Sequence, residues 1–236
     1  MKFDQRIHEA FNARSLATED VCKSFIVTPH YFKLAAAGNS ILVGPRGSGK
    51  TTLMRMLQVE AINIWNDAPN FLNKKGINYS GVFIPTDKLW STQYELLKRK
   101  ASSALLRMNV ELVFGYHILE RFLQVVEYRA RREKTLNNFL KVGIDKQTES
   151  DLVCELADSW GLNPRFYSLR SLCISVKEKW RNLVDSISRN DVTVNNSLMS
   201  IDGNNIIYKI SEAAATVNTY FVSTIISGLY CLMSLS

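Results

Sequence analysis

The chain has 236 residues, 46% of them hydrophobic and 22% charged, with a formal net charge of +7. That balance excludes a disordered or low-complexity chain, and the length suits one large α/β domain or a core with a sizeable insertion. The positive charge is spread along the sequence; it permits contact with nucleic acid or an acidic partner without arguing strongly for either. Cys22, Cys154, Cys173 and Cys231 lie far apart, with no Cys-x-x-Cys pair. They read as reduced, mostly buried thiols of a cytoplasmic protein. The start, MKFDQRIHEAF, has no apolar h-region and is not a secretory signal.

In chain order, Phe3, Ile7 and Phe11 are spaced as one face of a short helix. Thr18 suits the N-cap of a second, with Glu19 and Asp20 in its first turn. In Phe25-Ile-Val-Thr28-Pro29-His30-Tyr31-Phe32, Pro29 holds Thr28 extended and breaks any helix. His30 reads as a surface or capping histidine.

The stretch from Ser40 to Leu57 carries the chemistry. Gly44-Pro-Arg-Gly-Ser-Gly49-Lys50-Thr51 fits the phosphate-loop pattern G-x-x-x-x-G-K-[ST] at every fixed position. Ile41, Leu42 and Val43 ahead of it suit a buried parallel strand; Leu53, Met54, Leu57 and Ala61 behind it have helical spacing. Gly44, Gly47 and Gly49 can adopt backbone angles closed to other residues, so the loop can wrap an anion with its N–H groups. The positive end of the following helix dipole adds to this. Lys50 is the expected catalytic cation at the β- and γ-phosphates, and the Thr51 hydroxyl the expected Mg²⁺ ligand. Pro45 stiffens the turn and Arg46 faces solvent or the outer phosphates. With Ser48 and Thr52 these residues form the expected nucleotide-binding set. Tyr31, or the backbone beside it, is placed to pack near an adenine, although Phe25, Tyr31 and Phe32 serve more simply as core anchors.

Residues 66–76 form a polar connection, and Tyr79 to Pro85 a second strand. Thr86 and Asp87 follow at its carboxyl end, where open α/β sheets bind ligands. Asp87 can meet Mg²⁺ or its water, or cap a helix. From Ser91 to about Glu133 the pattern is helical, with Gly115 offering a break and Arg129 to Lys134 a basic, solvated helix end. That run lacks the aromatic interleaving of a single-strand binder. Ser150 is expected to cap a helix carrying Leu152, Leu156 and Trp160, stopped by Gly161. Asn163 and Pro164 signal the start of another, with an apolar stripe from Leu169 to Ile187. After Glu212 no charge remains, and Thr216 to Ser236 is apolar enough to raise a membrane anchor. Asn218 and the repeated Ser and Thr favour a buried helix or strand instead.

The fold expected is therefore α/β: a phosphate-loop nucleotide-binding core with parallel strands and a large all-α insertion or lid. Its parts are 1–90 (N-terminal segment and core), 91–190 (helical) and 191–236 (rejoining the core). A hydrolase of this kind also needs an apolar strand ending in an acid that orients water. Leu198-Met-Ser-Ile-Asp202 and Val142-Gly-Ile-Asp145 are poor copies. Either the chain ends before its catalytic strand, or Asp87 or Asp202 serves in an atypical arrangement. Asn73-Lys-Lys-Gly76 lacks the Asp of a guanine-binding motif, which favours ATP.

Residues 25–32, GPRGSGKTT at 44–52 and Val82-Phe-Ile-Pro-Thr-Asp87 resemble the N-terminal part of AAA-type ATPases, within them the bacterial proteins similar to the origin-recognition-complex family, with a defence-associated or mobile-element character suspected. The resemblance implies an ATP-dependent oligomeric switch with Gly44 to Thr52 as the binding loop. It carries no clear acidic motif, sensor residue or arginine finger in this chain. Three functions follow: a switch coupling Mg-ATP binding and hydrolysis to a protein partner, a second copy or nucleic acid; a module that binds ATP without hydrolysing it; or a small-molecule kinase.

Overall fold

The computed structural model describes residues 16–36, 41–45, 47–65, 81–85, 94–95, 98–99, 103–130, 144–189, 206–221 and 231–234. The expected helix over Phe3 to Phe11 lies outside them, as do Arg46, Asp87 and Asp202. The elements are helices α1 (Thr18–Ser24), α2 (Pro29–Ala35), α3 (Lys50–Arg55) and α4 (Val59–Ile64), strand β1 (Val82–Pro85), helices α5 (Ser103–Ala130), α6 (Lys146–Ser159), α7 (Leu169–Ser188) and α8 (Ile206–Tyr220), and strand β2 (Cys231–Ser234).

This corrects the expected α/β core. The described residues are mostly helical, with one parallel pair, β1 on β2, in the register Val82↔Cys231 to Pro85↔Ser234. Residues 41–45 belong to no strand or helix. Ile41 and Val43 are each 91% exposed, whereas a parallel strand needs burial on both faces. The apolar side chains instead meet mainly between helices.

Two apolar cores result, and β1 stands between them. Successive strand side chains point to opposite faces. Val82 and Ile84 enter the larger core with α5, α6, α7 and α8, while Phe83 packs on the smaller core of α1 to α4. On α5 the steps Leu112, Tyr116, Leu119, Leu123 and Val126 keep a buried stripe facing α7 and α8. Gly115 does not break this helix; it is buried within it. Nor is Arg129 solvated: it is 1% exposed, and burial lowers its guanidinium pKa to about 10.

Several helix starts differ from expectation by local chemistry. Ala17, not Thr18, is the N-cap of α1. Pro29 breaks no helix but opens α2 at its first position, with Thr28 extended ahead of it. Asp145, not Ser150, caps α6, accepting from Thr148 N–H at 2.7 Å. Gly161 does end that region with φ +57°. Asn163 and Pro164 precede an irregular turn; α7 begins five residues after Pro164, where Leu169 N–H donates to Glu149 Oε1 at 3.0 Å. The uncharged C-terminal stretch supplies the end of α8, with Val217 and Phe221 buried, and then β2. Among the described residues no helix is long and apolar enough to cross a membrane.

Candidate functional site

Leu42 anchors the approach to the loop by packing on the smaller core, between exposed Ile41 and Val43. The loop then turns on two glycines of left-handed backbone, Gly47 at φ +85° and Gly49 at φ +79°. A side chain there would meet open space but a strained backbone, so conformation alone demands glycine at both. Gly44 differs: a Cβ added there would lie 2.9 Å from Ser48 Oγ, a close approach. Ser48 N–H donates to the Pro45 carbonyl at 3.3 Å and closes the turn.

Lys50 folds back over this turn. Its Nζ donates to the carbonyl oxygens of Gly44 (2.6 Å) and Pro45 (2.8 Å) and to Ser48 Oγ (3.3 Å). The ammonium is thus held across the loop by its own chain. Lys50 also begins α3, whose first ladder bond runs from Leu53 N–H to the Gly49 carbonyl at 3.0 Å. The N–H groups of Lys50, Thr51 and Thr52 therefore stand ahead of the ladder. Thr51 and Thr52 are half-buried in this first turn.

The expected long helix behind the loop is broken. Helix α3 is six residues, and a turn at Met56–Leu57 separates it from α4. So short a helix has little macrodipole, and the ammonium and the loop geometry carry the local positive potential.

The site is braced by residues that loop-motif reading does not single out. Arg55 Nη1 donates to the Leu16 carbonyl at 2.8 Å and Nη2 to Thr18 Oγ1 at 3.2 Å. Burial lowers the Arg55 pKa, with the neighbouring Cys22 opposing the shift. Tyr31 is wholly buried in edge-on contact with Phe25, Phe32 and Trp65, and its hydroxyl donates to the Met56 carbonyl at 3.1 Å. It is a core anchor; His30 is exposed at the surface. Gly81 N–H donates to the Leu57 carbonyl at 3.2 Å, and Gln58 bridges Gly81 in parallel, tying the end of α3 to β1. A small residue heading an apolar strand was the only sequence signal for Gly81.

The donors present fit a polyphosphate: one ammonium, the hydroxyls of Ser48, Thr51 and Thr52, and N–H groups at a glycine turn. For Mg²⁺ the fit is partial. Thr51 offers one oxygen, and among the described residues no group of three or more His, Cys, Asp or Glu could hold a metal ion. A nucleotide-bound Mg²⁺ keeps waters and phosphate oxygens as ligands, so one protein hydroxyl is compatible with it. Asp145, one of the acids considered for the missing motif, is engaged at the cap of α6.

No curated protein and no solved structure matches the chain. A family model described as ORC-CDC6-like matches residues 6–216, all but the two ends. On the strength of that match the chain belongs to the ORC-CDC6-like family, whose members are ATPases of the P-loop AAA type.

Proposed function

We propose that residues 44–52 bind Mg-ATP and that the protein is an ATP-driven switch whose nucleotide state governs a partner, either a protein, a second copy of the chain, or nucleic acid. The observation that carries this reading is the Lys50 ammonium lying across a turn built on Gly47 and Gly49. Family membership supports the ATPase class. Lys50 would neutralise charge on the β- and γ-phosphates, and Thr51 would hold the Mg²⁺, which supplies further positive charge at the phosphates. To do so the ammonium exchanges its carbonyl partners for phosphate oxygens, a charge-assisted contact. Asp87 remains the proposed second Mg²⁺ contact.

A second reading is a module that binds ATP without turnover. It is favoured by the capping role of Asp145, which removes one candidate acid for positioning water. Steady-state phosphate release by wild type and Lys50→Ala, with calorimetry of Mg-ATP binding, separates the readings. Lys50-dependent release is expected for the switch. Tight binding with no Lys50-dependent release would leave the module, and no heat with any nucleoside triphosphate would refute both.

A further inference from the structure

The turn between α6 and α7 carries aromatics that the larger core does not absorb. Leu162 and Leu169 at its two ends are buried, at 3% and 0% exposure, while Phe166 and Tyr167 between them are 68% and 63% exposed. The turn is held in this form from beneath. The Phe166 carbonyl accepts from Ser168 N–H at 2.9 Å and from the Ser171 hydroxyl. Ser171 N–H in turn donates to Ser168 Oγ at 3.2 Å. The rings are therefore presented by a braced backbone whose ends sit in the core.

Their neighbours are basic. Arg165 precedes the rings and Arg170 follows them in the first turn of α7, both exposed. Ile174, 50% exposed, lies four residues beyond Arg170 on the same helix face, and Arg181 continues that face past the acidic Glu178. Two adjacent rings with an arginine on each side combine stacking faces with backbone-neutralising charge. Unpaired bases require that combination, whereas the bases of an intact duplex are already stacked. An acidic protein segment would use the arginines but has no general need of two flat rings.

We propose that the Arg165–Arg170 turn, with Ile174 beside it, is a binding surface for single-stranded nucleic acid. Bases stack on Phe166 and Tyr167, and phosphates pair with Arg165 and Arg170. The surface neither uses nor requires the phosphate loop.

The test is fluorescence anisotropy with labelled oligo-dT and oligo-U of about a dozen nucleotides, within the span such surfaces cover. A duplex of equal length is the comparison. Titrations are run without nucleotide over a series of salt concentrations, so a failure of the ATP reading and a failure of this one are separate results. The two homopolymers distinguish DNA from RNA. Wild type is expected to prefer single strands to duplex. The Phe166→Ala/Tyr167→Ala variant is expected to lose roughly tenfold or more in affinity with an unchanged salt slope. Arg165→Ala/Arg170→Ala is expected to shallow the slope of log K against log salt by about 1.4, or about 0.7 per phosphate contact. Tyr208→Ala, which removes a ring 66% exposed on α8, is expected to leave binding unchanged. Thermal unfolding checks that each variant is folded. Equal binding of duplex, indifference to the aromatic variant, or an equal loss with Tyr208→Ala would overturn the proposal. So would binding of an acidic peptide, lost in the same variants, with no binding of either oligonucleotide.

Discussion

Replacing Gly81 by alanine tests the link between the phosphate-loop segment and the strand. Gly81 is buried, and a Cβ built on it would lie 2.6 Å from the Leu57 carbonyl oxygen and 3.2 Å from its carbon. Ordinary contact begins near 3.4 Å, so the two backbones must part by about 0.8 Å (3.4 less 2.6) or twist away. Those two atoms are backbone and the third, Leu57 Cβ at 3.3 Å, is fixed by the same backbone, so no side-chain rotation can relieve the overlap. The 3.2 Å bond from Gly81 N–H to the Leu57 carbonyl is then lost with the Gln58 bridge. A lost buried hydrogen bond costs about 0.5–1.5 kcal/mol and overpacking about 1–3. The sum is a destabilisation of roughly 1.5–4.5 kcal/mol. Equilibrium urea unfolding measures it: the midpoint falls with the slope unchanged. For a chain of this size Tm falls by about 3–18 °C. If Gly81→Ala unfolds within about 0.5 kcal/mol of wild type, the two segments do not meet as described, and the bracing of the loop by β1 is wrong.

Three further outcomes follow from the same structure. Gly49→Ala places a side chain on a backbone at φ +79° and is expected to cost roughly 1–2 kcal/mol in urea unfolding. Gly44→Ala meets only the movable Ser48 hydroxyl, so its cost stays under about 1 kcal/mol. Asp145→Ala is expected to cost about 1 kcal/mol, through the lost cap of α6, with Lys50-dependent phosphate release unchanged. Release that collapses in a folded Asp145→Ala protein would make Asp145 the missing acid. Burial raises the Cys173 thiol pKa from 9.0 to about 11. A raised thiol pKa means the unfolded chain loses its proton first, so that stability is complete below pH 9 and falls as pH climbs toward 11. Unfolding midpoints between about pH 8 and 9.5, a range below the Arg129 titration at about 10 and the Tyr116 titration at about 12, are expected to fall less steeply for Cys173→Ala than for wild type.

The features legible in the sequence were those set by neighbours along the chain. The glycine spacing at 44–49 implied left-handed backbone, and Gly47 and Gly49 have it. The stripe on α7 implied burial, and Leu169, Leu172, Val176 and Leu183 are buried. Gly161 ended its helix as its type predicts. Cap positions were less legible because Asp145 and Ser150 are equally good caps as residue types, and only the fold of the chain around α6 chose between them.

The sequence by itself determined the phosphate-loop pattern and, through the wider family match, membership of the ORC-CDC6-like family. Tertiary structure alone decided which apolar residues are inside. Ile41-Leu-Val43 and Val82-Phe-Ile84 are nearly the same as short apolar runs, yet one joins no strand and is largely exposed while the other is a strand dividing two cores. Arg129 looked like a solvated helix end and is buried; Phe166 and Tyr167, which no sequence pattern singled out, face outward. A strand exists only if a distant segment supplies the other half of its ladder, and a side chain is buried only if something covers it. Neither condition is a property of the residues nearby in the chain.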